Sequence, residues 1–126
     1  MLKLMALILL LVNVGYGKEI NIVQVGKTFT KDISDETANK ILDDPDLEDK
    51  YKVKSITVKK GDVLNFANRD EGSHNVRASD GDDEVFDVKL QRPGTKNDKK
   101  ITLNNKGEFE VKCRIHPKMK MKVKVE

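Results

Sequence analysis

The stretch "GEFEVKCRIHPKMKMKVKVE", residues 107–126, alternates apolar and polar side chains twice over, through Phe109, Val111 and Cys113 and then through Met119, Met121, Val123 and Val125. Alternation with period two over a short run is the pattern of a strand with one face on a core and the other in water. Two strands therefore flank a tight loop, with Lys120, Lys122 and Lys124 as the outward set of the second. The same period recurs upstream in "INIVQV", "YKVKSITV", "DVLNFAN", "HNVRA", "EVFDVKL" and "KITL". Turn signals separate several of these runs: "KKGD" at 59–62, "RPGTKND" at 92–98 and "NNKG" at 104–107. Many short strands at such spacing predict an all-β antiparallel sandwich rather than alternating βα units.

One stretch departs from the pattern. "SDETANKILDDPDLED", residues 34–49, opens with a capping serine, carries acids in its first turn and meets Pro45 soon after Leu42. It predicts a short helix inserted between strands.

A chain of 126 residues has room for one modest domain with one small core. Its 24 basic and 21 acidic residues are interspersed and leave a formal charge of +3, so it lacks the single-sign field that nucleic-acid binding needs. Lys3, the apolar run from Leu4 to Val12, and Gly15-Tyr16-Gly17 before Lys18 have the order of a cleaved export signal. The run is shorter than the roughly 20 apolar residues of a bilayer span, and no later segment is long or apolar enough to be one. The expectation is a signal peptide at residues 1–17 and a single domain at 18–126, monomeric, in the periplasm or another exported location. Export poses a question about Cys113, because a lone thiol in an oxidising compartment has no disulfide partner.

The residues around Cys113 answer it. Cys113 and His116 form a C-x2-H pair, methionines follow at 119 and 121, and the remaining histidine, His74, lies in "NRDEGSHNV". Thiolate, imidazole and thioether are a soft donor set, suited to copper more than to zinc, calcium or magnesium. The acidic run "SDGDDE", 79–84, lacks the alternating order of a calcium loop and reads as a solvated hairpin, and "DDPDLED", 43–49, as a solvated loop or helix end.

Together, "VKKGDVLNFANRDEGSHNV" and "GEFEVKCRIHPKM" resemble the cupredoxin family of type 1 blue copper proteins, in particular its plastocyanin and amicyanin branch, over about residues 51–126. The resemblance implies an eight-stranded Greek-key sandwich with one copper ion at one end. It implies His74, Cys113 and His116 as the trigonal ligands and a methionine as the weak axial one. Family loops have two or four residues between the second histidine and the methionine, so spacing allows both Met119 and Met121. The His-Pro-x-Met loop resembles amicyanin's and favours Met119. Asn75 resembles the family asparagine that pins the cysteine loop to the first histidine's strand. Ile115 stands where many relatives with this short loop have proline; unlike proline it has an N–H, which would be donated to the Cys113 sulfur and raise the reduction potential.

The function implied is that of an exported one-electron carrier cycling Cu(I)/Cu(II) between redox partner proteins. The alternative is a copper chaperone or buffer using the same ligands. An enzyme is not expected, since copper catalysis generally needs a second metal centre or an open position, and two histidines do not build one beyond this site. Basic residues at 112, 114, 118 and 120 flank the loop, so an acidic redox partner docking near His116 is expected.

Overall fold

Residues 17–126 are described by this computed structural model, and the apolar run read as an export signal lies outside the described residues. Where the sequence alternates, the chain forms strands: β1 (Glu19–Val25), β2 (Thr28–Lys31), β3 (Ser55–Val58), β4 (Val63–Asn68), β5 (His74–Asp80), β6 (Asp83–Gln91), β7 (Lys99–Thr102), β8 (Gly107–Cys113) and β9 (Lys120–Val125). They assemble as a four-stranded sheet, β2-β1-β4-β7, facing a five-stranded sheet, β3-β9-β8-β5-β6. The pairings β1–β4 and β3–β9 are parallel and the rest antiparallel, because each parallel pair is joined by a long excursion rather than a hairpin turn.

Nine strands stand where eight were expected. The additional one is β2, which turns back on β1 through Gly26 and Lys27, both at positive φ, the geometry that matches a two-residue hairpin to strand twist. "YKVKSITV" is also shorter as a strand than its alternation predicts. Tyr51 ends a helix and only Ser55–Val58 pairs.

The helical insertion forms as expected and runs a little further. Helix α1 (Asp35–Asp43) starts at Ser34, whose side chain accepts the Thr37 N–H. A 3-10 turn at Pro45–Leu47 leads into α2 (Glu48–Tyr51).

Packing explains why the insertion is there. The main core lies between the sheets and includes Ile20, Ile22, Leu64, Phe66, Val76, Val111 and Val123. On β1, however, Val23 and Val25 point away from that core, and they are nonetheless buried. Ala38 and Ile41 of α1 cover them, with Ala67 of β4. The insertion is thus a lid on the outer face of the four-stranded sheet. The acidic turn between β5 and β6 is the solvated hairpin that was expected, closed by Gly81 and Asp82.

Truncating the lid's anchor isolates its contribution. Ile41→Ala should cost about 2 to 5 kcal/mol in denaturant unfolding, the range for a buried isoleucine cut to alanine, and leave the spectrum of the copper-loaded protein unchanged.

Candidate metal centre

Cys113 is the last residue of β8 and His74 the first of β5, and the pairing of these strands brings them together. Val76 stands opposite Cys113, and His74, two residues further along β5, shares Val76's inward face one pleat beyond. His116 arrives through the loop between β8 and β9. Pro117 sits at the second position of a turn closed by Met119 N–H donating to His116 C=O at 2.9 Å. Cys113 N–H donates to Met119 C=O at 3.1 Å, and Arg114 N–H to Asn75 C=O at 2.8 Å. A seven-residue span, Cys113 to Met119, is thereby cinched at its neck and fastened to β5.

Nδ1 of His74 lies 3.5 Å from Cys113 Sγ, and Nδ1 of His116 lies 3.6 Å from it. One donor atom from each of the three residues falls within 4.8 Å of the others, and the sequence-predicted trio is therefore one cluster. His74 and Cys113 are fully buried, while His116 is part-exposed at the surface. Both methionines are buried too. Register separates them: Met119 stands across the strand pair from Cys113, whereas Met121 pairs with Val111 one layer deeper in the core.

Sequence reasoning missed the residue that orients His74. Asp70 Oδ2 lies 2.9 Å from His74 Nε2, and since a carboxylate only accepts, Nε2 carries the proton and Nδ1 is the nitrogen turned to the cysteine. Asp70 is held in turn by Asn68. The Asn68 Oδ1 accepts the Asp70 N–H at 2.9 Å, and its Nδ2 donates to the carbonyls of Gly72 and Gln91 at 3.0 and 2.9 Å. The available signal was "NRD" before "GSH": an asparagine that bonds the N–H two residues on is a common turn device.

Asn75 was expected to tie the cysteine loop to the first histidine's strand. Its main-chain carbonyl makes the link to the cysteine loop, while its side-chain Oδ1 is buried without a hydrogen-bond partner among the described residues.

The electrostatics favour the ionised sulfur. Burial pushes the Cys113 thiol up, but the N–H of Asn75, the His74 ring and the N–H groups of Ile115 and His116 outweigh it and hold the thiol below its ordinary range. Burial lowers His74 as well, and Asp70 and Cys113 together raise it above its usual value. His116 is lowered by burial and then by the positive charges of His74 and Lys27. The shifts of Cys113 and His116 run toward the deprotonated forms that soft-metal binding needs, while the raised His74 is the group that would have to give up a proton to a metal. The donor set fits copper: sulfur for Cu(I), imidazole for Cu(II), and no hard oxygen among the three.

Comparison with known proteins agrees with this chemistry. A family model described as copper binding proteins, plastocyanin/azurin family, matches residues 38–126. A novel purple cupredoxin from Nitrosopumilus maritimus superposes with a TM-score of 0.54 at 15% identity, covering 86% of this chain and 99% of that one, a likeness of fold. A reduced amicyanin variant superposes with a TM-score of 0.50 at 26% identity, covering 60% of this chain and 72% of that one. The methylamine utilization protein MauL of Methylophilus methylotrophus is 33% identical over 57 residues, which is 45% of this chain; the match spans 33% of the length of that relative.

Removing the carboxylate behind His74 tests the support it provides. Asp70→Ala should weaken copper binding about 10- to 100-fold in competition with a chelator, the usual consequence of losing a group that orients a metal-ligating histidine, while the metal-free protein keeps its strand circular dichroism.

Proposed function

This chain belongs to the plastocyanin/azurin family of copper-binding proteins, with a cupredoxin fold and copper as its cofactor, and from that premise we propose that it is a one-electron carrier in which His74, Cys113 and His116 hold one copper ion and Met119 is its axial neighbour. The observation that carries this reading is the convergence of two Nδ1 atoms on one buried sulfur, at 3.5 and 3.6 Å, on elements already fastened to each other. Copper in such a site supplies a one-electron Cu(I)/Cu(II) couple.

Each residue's contribution follows from how it is held. His74 is fixed by Asp70 from behind and by the core around it, so its Nδ1 needs no movement between oxidation states. Cys113 is fixed by its place at the end of β8 and by the bond from its N–H to Met119 C=O. His116, on the tight turn, is the ligand with an edge at the surface, which gives the electron an exit toward a docked protein. Met119 is favoured as the axial ligand over Met121 by its place opposite Cys113. Ile115 has the N–H that proline would lack and contributes to lowering the Cys113 thiol; directed at a bound thiolate it would withdraw charge and raise the potential.

The carrier is proposed to act outside the cytoplasm as a monomer, after loss of residues 1–17. The order of Lys3, the apolar run and the small residues before Lys18 supports that reading. Metal occupation of the lone Cys113 would keep its sulfur from oxidation there. No helix among the described residues is long and apolar enough to cross a membrane.

Adding Cu(II) to residues 18–126 should produce an intense red-absorbing thiolate-to-copper band that bleaches with ascorbate and returns on re-oxidation. Cys113→Ser should abolish that band and keep the fold. A colour that fades once and never recovers would instead indicate a copper-storing shell. Voltammetry ranks the remaining roles: Met119→Gln should shift the potential far more than Met121→Leu, and Ile115→Pro should lower it.

A further inference from the structure

On the outer face of the five-stranded sheet the charges lie in rows, because directly opposed residues on neighbouring strands stand side by side. Two rows remote from the metal centre match opposite charges: Glu108 faces Lys124 and Glu110 faces Lys122 across β8 and β9. The row nearest the centre does so only at its β6 end. Arg77 of β5 faces Asp87 of β6 on one side but Lys112 of β8 on the other, and Lys112 in turn faces Lys120 of β9. Like charges directly opposed destabilise a sheet. An acid at position 112 or 120 would relieve this, as one does in the next row.

Local pairing offsets the row only in part. Arg77 reaches Glu84 at 3.2 Å and Lys112 reaches Glu110 at 3.0 Å, both at the solvent-exposed surface where ion pairs contribute little. Lys120, and Arg114 and Lys118 in the adjoining loop, are exposed and form no ion pair among the described residues. Arg77, Lys112 and Arg114 line a groove of about 330 Å³ that also touches Cys113 and Pro117. The unrelieved positive charge thus sits directly over the strand segment whose inward side chain is the copper-site cysteine.

We propose that this row is the docking surface for carboxylates of an acidic redox partner protein, which binds across β5, β8 and β9 beside Cys113. The inference rests on the carrier reading and extends the acidic-partner expectation from the ligand loop onto a defined row of the sheet that includes Arg77. Complementary charge of this kind raises encounter rate more than lifetime, and a carrier that must release its partner after one electron needs that combination. A protein fits better than a uniform polyanion. Glu84 and Glu110 sit among the cations, where they would repel a phosphate backbone or an anionic bilayer but would meet basic residues on a mixed-charge protein surface.

The test uses the copper-loaded protein and its Lys112→Gln/Lys120→Gln double variant, whose substituted side chains point away from the metal. The Cu(I) form gives one electron to hexacyanoferrate(III), an anion, or to tris(phenanthroline)cobalt(III), a cation, and stopped-flow absorbance follows Cu(II) formation. At low salt the variant should react about threefold or more slowly with the anionic oxidant and no more slowly with the cationic one, and added salt should erase the difference. A hexa-aspartate peptide added to the Cu(I) form should shift the amide resonances of residues 77, 112, 114, 118 and 120. Equal rates for variant and parent, or peptide shifts centred elsewhere, would overturn the docking surface while leaving the carrier intact. Stronger binding to phosphatidylserine vesicles than to the peptide would overturn it in favour of a membrane. Failure of both oxidants to cycle the copper reversibly would instead sink the carrier reading.

Discussion

The antiparallel register of β5 on β8 is the constraint on which the rest of the structure depends. With Val76 opposite Cys113, His74 falls on the inward face one pleat past the end of β8, and its imidazole reaches over the cysteine sulfur. Because side chains alternate with period two, a slip of one residue would send either His74 or Cys113 to the solvent face. The bond from Arg114 N–H to Asn75 C=O continues the ladder one step beyond the last paired strand residues and locks the register where the loop begins. His116 then needs only a four-residue turn to join the other two donors.

Around that register the fold gathers several of its buried polar groups at the metal-site end. Asn68 bonds three main-chain groups and thereby holds Asp70 against His74. Gln91 donates to the carbonyls of Phe66 and Asn97 and accepts from Gln24, joining β4, the loop after β6, and β1. Arg69, between Asn68 and Asp70, makes a two-pronged pair with Asp98 at 2.9 and 3.1 Å and reaches Asp35 at the start of α1. The insertion is therefore fastened to the same loop that orients the histidine, besides covering Val23 and Val25. A frame of this kind fixes the orientation of the His74 ring and limits its movement.

Much of this was legible in the sequence, and the parts that were not share a cause. The strands, the lid helix, and the outward lysines with Met121, Val123 and Val125 inward all follow from local periodicity. β2 is not legible in the sequence because "TFTK" is short and its turn lacks the usual Asn-Gly pair. "YKVK" alternated like a strand, yet Tyr51 was taken into α2 and packs against the lid's apolar cluster, a tertiary preference that outweighed the local pattern. On β1, apolar residues at both parities in "INIVQV" carried the sign of a strand covered on both faces, and the identity of the cover depended on a segment ten residues away.

By itself the sequence determined the sandwich and the soft donor set, because the first rests on a period of two and the second on which side chains carry sulfur and imidazole. Only the tertiary structure decided that Asp70 stands behind His74, that Met119 rather than Met121 lies across from Cys113, and that Arg77, Lys112 and Lys120 form one row. Those three outcomes depend on loop conformation and on strand register between residues distant along the chain, which composition and spacing do not encode.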